Sequence, residues 1–415
     1  VENFTVLENI ILGAESGKLI AQSLATARKS LNKLASEYEL NVNPDSLIEN
    51  IGVGMQQRVE ILKALYRKAK ILILDEPTGV LTPAEAEHLF RILKNLKNEG
   101  KTIILITHKL KEIMHVTDTV SVMRQGEMIA TVQTAKTNPE NLAELMVGRK
   151  VLLQIEKKPA NIGDSALSCN KLNYIDEKGV HRLKDITLNV NQGEILGIAG
   201  VAGNGQSELL EVLAGIKKAK GEIKIGTKRL SLNSKNSNPS TRRHLGISHV
   251  PEDRQKIGLV MDFYAWENMA LGYHDRDQYN SNRIFMNNAV LKKETAARIK
   301  SFDIRPDSAS LTAKSFSGGN QQKIVLAREI EQNPNLLIVG QPTRGVDIGA
   351  IEFIHKRIIQ LRDNGKAVIL VSVELDEILS LSDRIVVMFD GKIMGEKKAS
   401  NTNERELGLL MAGIG

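Results

Sequence analysis

Residues Gly200 to Ser207 read GVAGNGQS, a glycine-rich turn between the apolar run EILGIA and the helix-prone run ELLEVL. Glycines let backbone N–H groups close on phosphate oxygens, and a helix start behind them adds partial positive charge. Gly200, Gly203, Asn204, Gly205, Gln206, Ser207 and Glu208 are therefore candidate nucleotide-binding residues, with the Ser207 hydroxyl available to Mg²⁺. The turn departs from G-x-x-x-x-G-K-[ST] at Gln206, where a lysine would meet the β and γ phosphates. Loss of that charge weakens such a site by about 1.5–3 kcal/mol on the scale of charge-assisted hydrogen bonds.

A second anion-binding element is SFSGGNQQK, Ser315 to Lys323, where a serine and two glycines open a helix that continues as IVLAREIE. Its unpaired N–H groups can receive a phosphate, which makes Ser317, Gly318, Gly319 and Asn320 candidates for nucleotide contact. Downstream, the apolar run LLIVG leads into QPTRGVD, which contains Asp347. This order of elements resembles the signature motif, Walker B strand and D-loop of ATP-binding cassette (ABC) ATPases.

The elements that must position these residues occur twice. GVGMQQRVEI (Gly52 to Ile61) matches SGGNQQKIVL (Ser317 to Leu326), and Gly54 and Gly319 stand 265 positions apart. The same offset pairs LILDEPTGV with LIVGQPTRG, ITHKLKEI with VSVELDEI, and LMVG with LMAG. Upstream, TVLENIILG matches YAWENMALG at an offset of 259, so the second copy carries six extra residues in between. Nothing before Thr5 corresponds to the strand and glycine-rich turn that precede Tyr264. By the repeat, roughly 90 residues of a first domain precede this stretch, and the chain reads as a piece of a longer protein.

Alternating strands and helices in each copy predict an α/β fold with a largely parallel, doubly covered sheet. The resemblance makes these two tandem P-loop NTPase domains of the ABC type, each with a helical subdomain, the first incomplete. The expected layout is 1–150 for the first cassette, 151–166 for a linker and 167–415 for the second cassette. Residues 1–50 and about 264–314 are the expected helical subdomains. Met55, Val59, Leu62 and Leu65 fall at helical spacing, followed by Arg67, Lys68 and Lys70 where a helix end favours cations.

The resemblance also assigns roles. Asp75-Glu76-Pro77-Thr78 looks like an intact Walker B, which implies that Asp75 holds Mg²⁺ and that Glu76 is the catalytic base. His108 matches the switch histidine that contacts the γ-phosphate. The second copy has Gly340, Gln341 and Val373 at these positions, so cation binding, base and phosphate contact are all expected to be compromised there. The signatures are degenerate in the opposite sense, intact at Ser317-Gly318-Gly319 and broken at Gly52. ABC proteins pair the Walker motifs of one domain with the signature of the other. That pairing implies one hydrolytic site, with Glu76 and Ser317, and one binding site, with Gln206 and Gly52. Glu252, in PEDR, stands where the Q-loop glutamine is usual; Thr82 and Asp347 differ between the D-loops; Tyr174 is the candidate aromatic for adenine.

One cysteine, Cys169, excludes an internal disulfide, and the apolar runs fall far short of the ~20 residues needed to span a bilayer. The net charge of +7 is scattered, and aromatics are only 4%, which argues against a single-stranded nucleic-acid platform. The whole pattern resembles the ATPase subunit of bacterial sugar and nucleoside importers of the ribose, galactose, xylose and purine nucleoside group. VGMQQRVEILKALYR and QPTRGVDIGAIEFIH look closer to the nucleoside type. The resemblance implies ATP and Mg²⁺ as cofactors, two membrane permease chains and an extracytoplasmic solute-binding protein as partners, no nucleic acid, and a place on the cytoplasmic face of the membrane. For a chain that begins without a first P-loop it implies weak or no turnover. The alternative is a soluble tandem ABC protein acting on ribosomes or nucleic acid, but such proteins keep both sites intact and carry a long charged helical linker.

Overall fold

The computed structural model describes residues 1–414 except 15–19, 80, 82, 125, 151–156, 233–236 and 282–284. The chain forms two compact units, Val1–Met146 and Val147–Gly415.

The second unit is built on a six-stranded sheet in the order Ile247–Val250, Leu336–Gly340, Ala367–Ser372, Ile195–Ala199, Arg384–Phe389, Lys392–Lys398. The first five strands are parallel and the last is antiparallel. Continuous apolar runs such as LLIVG and AVILVS occur because both sheet faces are covered. Alternation sorts their side chains. Leu337, Val339, Val368 and Leu370 pack with residues of the helices Gly318–Ile330, Ile348–Asp363 and Leu375–Leu381. Leu336, Ile338, Ile369 and Val371 pack against the helix Gln206–Leu213 and a four-stranded antiparallel sheet that includes Ser165–Ile175. A smaller cluster of Trp266, Ala270, Tyr273, Tyr279 and Leu291 forms the core of the helical part.

The first unit repeats one side of this plan. Ile71–Asp75 pairs in parallel with Thr102–Ile106, and Leu72 packs against the helices Val53–Tyr66 and Pro83–Asn98. The other face is bare: Ile71, Ile73, Ile104 and Ile106 are 58%, 65%, 47% and 51% exposed. Their counterparts by the repeat, Leu336, Ile338, Ile369 and Val371, are all buried. Among the described residues, no strand stands between Thr102–Ile106 and the separate hairpin Thr119–Arg124/Glu127–Gln133. In the second unit Ile195–Ala199 fills that place. Ile338→Ala should therefore cost about 2–5 kcal/mol, whereas Ile73→Ala should stay within about 0.5 kcal/mol. Urea unfolding of the two variants checks this; equal losses would mean that the Ile73 face is covered in solution.

The shared TVLEN/YAWEN pattern has a local cause. Glu8 accepts a hydrogen bond from Thr5 N at 2.8 Å, and Glu267 accepts one from Tyr264 N at 2.8 Å, each closing a helix start. Asn9 and Asn268 are buried and stitch the preceding loop to the helix. Asn9 bonds the backbone N and O of Val1 at 2.6 and 2.9 Å, and Asn268 bonds those of Val260 at 2.9 and 3.0 Å.

Residues 151–156 of the expected linker lie outside the described residues, but the rest of that stretch does not behave as a free tether. Lys157 Nζ donates to Leu381 O and Ser382 O at 3.0 and 2.5 Å, and Arg362 Nη2 donates to Lys158 O at 2.8 Å. Arg149 Nη1 bonds Glu352 Oε2 at 2.8 Å. The first strand of the second unit starts at Ser165, inside the expected linker. Charged side chains finding buried partners, a feature composition does not reveal, hold this stretch on the second unit.

Cys169 is buried on the Ser165–Ile175 strand, and burial pushes its thiol up to about 12. Alkylation by iodoacetamide at pH 8 should accordingly wait for unfolding, as mass spectrometry along a urea gradient would show. Rapid alkylation of the native chain would contradict the burial. No helix among the described residues is long and apolar enough to cross a membrane.

Candidate functional site

The Ile195–Ala199 strand runs into the glycine-rich turn, and the helix Gln206–Leu213 leaves it. Gly203 and Gly205 have φ of 91° and 101°, and a Cβ on Gly205 would stand 2.7 Å from Arg182 O. Only glycine fits there. Asn204 fastens the turn from outside, its Oδ1 accepting from Asp390 N at 2.9 Å and its carbonyl accepting from Gly391 N at 3.1 Å. Its side-chain oxygen thus serves the scaffold. Gln206 is buried and folds back to donate to Val201 O at 3.2 Å, so it brings no cation to the mouth of the turn. Glu208 lies in the first helical turn, and the Ser207 hydroxyl donates to Glu252 Oε2. Burial raises the Glu252 pKa, against the Ser207 hydrogen bond and the charge of Arg344.

In the first unit, Asp75 ends its strand and Glu76 follows with φ of 42°, its N–H donating to Ile106 O at 2.8 Å. That turn brings Glu76 Oε1 within 2.7 Å of His108 Nδ1, across from the end of the adjacent strand. Thr107 Oγ1 accepts from Lys109 N at 3.0 Å and donates to Glu112 Oε2 at 3.3 Å, which steadies the loop that carries His108. Asp75, Glu76 and His108 therefore lie at or just beyond the C-terminal ends of two adjacent parallel strands.

The second unit keeps this backbone and changes its chemistry. Gln341 has φ of 48° and its N–H donates to Val371 O at 2.8 Å, as Glu76 does to Ile106. Its side-chain Oε1 accepts from Val373 N at 3.4 Å, and Val373 stands where the repeat has His108. The turn has an amide in place of a base and a valine in place of the histidine.

The signature residues form a cluster of their own. Ser317 caps the helix Gly318–Ile330, and its Oγ accepts from Asn320 Nδ2 at 2.9 Å. Asn320 Oδ1 in turn accepts from Arg305 N at 2.8 Å, so Asn320 orients the serine. Asp347 caps the helix Ile348–Asp363 by accepting from Ala350 N at 2.9 Å, and its Oδ2 lies 3.3 Å from where a Cβ on Gly319 would stand. Arg254, which motif reading left without a role, donates to Arg344 O at 2.7 Å, and its Nη2 lies 2.5 Å from where a Cβ on Gly318 would stand. The arginine of PEDR thus packs against Gly318, where an added Cβ would also stand 3.0 Å from the backbone oxygen of Gly345. Only the letters around the arginine, a polar run between a strand and an apolar residue, could have hinted at that.

At the first signature, Gly52 caps Val53–Tyr66 with nothing within 4 Å of an added Cβ, so its missing hydroxyl is not a packing requirement. Lys217 Nζ lies over the Tyr174 ring at 5.3 Å from its centroid and occupies one face of the candidate aromatic. Thr82 lies outside the described residues.

A family model described as ABC transporter matches residues 1–79 and 183–344. The chain is 49% identical over 414 residues to the nucleoside import ATP-binding protein NupA of Lactococcus lactis subsp. cremoris (strain MG1363), an alignment covering 100% of this chain and 81% of that protein. It is 47% identical over 414 residues to the guanosine import ATP-binding protein NupO of Bacillus subtilis (strain 168), covering 100% and 80%. The ribose import ATP-binding protein RbsA of Clostridium tetani (strain Massachusetts / E88) is 36% identical over 410 residues, covering 98% and 79%.

Proposed function

Because the chain belongs to the ABC transporter family, as an ATPase of the transporter-coupled kind, we propose that it drives import of a nucleoside through a membrane permease. The observation that carries this reading is the Glu76–His108 contact of 2.7 Å at the end of a strand that also ends in Asp75. The similarity to the nucleoside and guanosine import proteins, higher than to the ribose protein, supports a nucleoside over a sugar.

In this mechanism Glu76 orients a water and takes its proton as the water oxygen bonds to the γ-phosphorus and the bond to the β–γ bridging oxygen breaks. His108 holds the Glu76 carboxylate in place and faces the phosphate. Asp75 in the first unit and Ser207 in the second each offer a hard oxygen ligand suited to Mg²⁺, which would neutralise charge on the phosphates at its own site. The unit with Gln341 and Val373 lacks both base and imidazole and serves to hold nucleotide.

The partners are two permease chains and an extracytoplasmic solute-binding protein, and the place of action is the cytoplasmic face of the membrane. Ile257, Val260, Phe263 and Tyr264 form an exposed apolar row following the Glu252 segment, which supports a docking surface for a permease. Affinity purification from the native membrane tests the assignment. Permease and solute-binding protein should accompany the chain, and guanosine rather than ribose should compete in uptake. Ribosomes in their place would overturn it.

A further inference from the structure

The turn that carries Glu76 and the loop that carries His108 are joined by a third acid, to which motif reading gave no role. Glu112, in the short helix Leu110–Val116, is buried, and both of its carboxylate oxygens are engaged. Oε1 accepts from Thr78 Oγ1, two residues beyond Glu76, and Oε2 accepts from Thr107 Oγ1 at 3.3 Å, one residue before His108. Thr78 is buried as well, so its hydroxyl has little water to turn to. Lys109 Nζ stands 3.9 Å from Glu112 Oε1 and favours the ionised form, which accepts hydrogen bonds and donates none. One carboxylate therefore clasps the two backbone segments whose side chains meet in the 2.7 Å Glu76–His108 contact.

In the second unit the same acid is released from this task. The repeat places Glu377 at Glu112, Thr343 at Thr78 and Ser372 at Thr107, each 265 positions on. The backbone agrees, since Ser372 Oγ accepts from Glu374 N at 3.0 Å as Thr107 Oγ1 does from Lys109 N. Glu377 Oε1, however, bonds His355 Nε2 at 2.8 Å, and Glu377 Oε2 is buried with no hydrogen-bond partner among the described residues. A carboxylate with one oxygen on a histidine and the other unpaired cannot join two loops. His355 lies on Ile348–Asp363, and the matching residue on Pro83–Asn98 is Phe90, whose ring offers a carboxylate no N–H. The clasp is closed in the unit that keeps Glu76 and His108, and open in the unit that has Gln341 and Val373.

We propose that Glu112 is a positioning residue for hydrolysis in the first unit: by accepting from Thr78 and Thr107 together, it fixes the Glu76 carboxylate against the His108 imidazole. The proposal rests on the hydrolytic reading of Glu76 and His108. Those two side chains are 48% and 25% exposed, so packing around them does not hold them in place. Reacting groups need to be held within about 0.5 Å, and a misplacement of about 1 Å costs on the order of 10²-fold in rate. The buried acid behind the two loops supplies that constraint without touching nucleotide or water.

The test is the single-turnover rate constant for ATP hydrolysis in tagged protein purified from the chromosomal locus, a first-order constant that does not depend on how much of the protein is active. Glu112→Leu should lower it about 30- to 100-fold, while the ATP concentration for half-saturation stays within about twofold. Thr78→Val keeps the shape and removes the donor. It should lower the constant about tenfold alone and less than about twofold when added to Glu112→Leu, because the clasp is then already open. Glu112→Gln keeps the length and one acceptor oxygen, and should recover to within about threefold of the wild type. A wild-type constant in Glu112→Leu, additive losses in the cycle, or a Glu112→Gln as slow as Glu112→Leu overturns the clasp. Glu76→Gln separates this from the reading beneath it: a wild-type constant there overturns the hydrolytic assignment itself, whereas an inactive Glu76→Gln beside an unaffected Glu112→Leu removes Glu112 alone. Should Glu112→Leu not fold, Thr78→Val combined with Thr107→Val decides, and a wild-type constant in that double variant overturns the proposal.

Discussion

Glu76→Gln, introduced into the chromosomal copy, is expected to lower nucleoside uptake by about 10²- to 10⁴-fold, the range a positioned general base contributes. ATP binding should remain. The substitution is nearly isosteric, and the molecule already tolerates it: the second unit carries Gln341 in the same turn, with φ of 48° against 42° and the same 2.8 Å bond from its N–H to the neighbouring strand. Folding is therefore not the reason for the loss. His108→Val, which reproduces Val373, should act in the same direction through the lost 2.7 Å contact. Uptake of radiolabelled guanosine, measured beside the cellular level of the variant protein, distinguishes these outcomes. Transport that survives Glu76→Gln would remove Glu76 from the mechanism.

Arg328→Met should lower the stability of the second unit by about 3–5 kcal/mol, the cost of leaving a buried charge without its partner. Glu329 is fully buried in the signature helix; its Oε1 accepts from Arg328 Nε at 2.8 Å and its Oε2 from Tyr273 OH at 2.5 Å. Arg328 Nη1 also donates to Gly258 O and Asn268 O at 2.8 and 3.2 Å, which ties the signature helix to the PEDR segment and the helical part. Burial alone would raise the Glu329 pKa, but Arg328, Arg243 and the Tyr273 hydrogen bond outweigh it and hold it below the usual carboxylate value. A lowered carboxylate pKa stabilises at neutral pH, and that contribution is lost as pH falls through the folded value. The gap between wild type and variant should accordingly narrow in acid. Scanning calorimetry should show a melting temperature lower by about 10 °C at neutral pH, with much of the loss recovered in Arg328→Met/Glu329→Leu because both ends of the pair are gone. An unchanged melting temperature in the single variant would show that the pair contributes nothing. The first unit has Lys63 and Ala64 at the matching positions, so this link belongs to the second unit.

The order of motifs and the doubled pattern were legible because each rests on local chemistry. A glycine-rich turn between strand and helix, two acids after ILIL and an Asn one turn into a helix each need only near neighbours in the chain. The contact of Glu76 with His108 follows from two adjacent parallel strands ending level, which the repeat implies once the sheet is accepted. Asn204 and Asn320 are a different matter. Both sit in recognisable motifs, yet their side chains are taken by Asp390 and Arg305, residues no local pattern connects to them.

Composition and spacing by themselves determined the α/β class, the tandem repeat and which copy keeps the acids, because those properties follow from periodicity and from residue type at fixed offsets. Only the tertiary structure decided what occupies the space of a missing side chain. Gly340 reads in the sequence as a lost aspartate, but in the fold it is the space into which Glu252 reaches toward Ser207. The bare face of Ile71, Ile73, Ile104 and Ile106 likewise reads as an ordinary buried strand pair until the absence of a covering layer among the described residues is seen. The physical reason is the same in both cases: a side chain's role is set by what packs against it, and those neighbours come from parts of the chain that local patterns do not join.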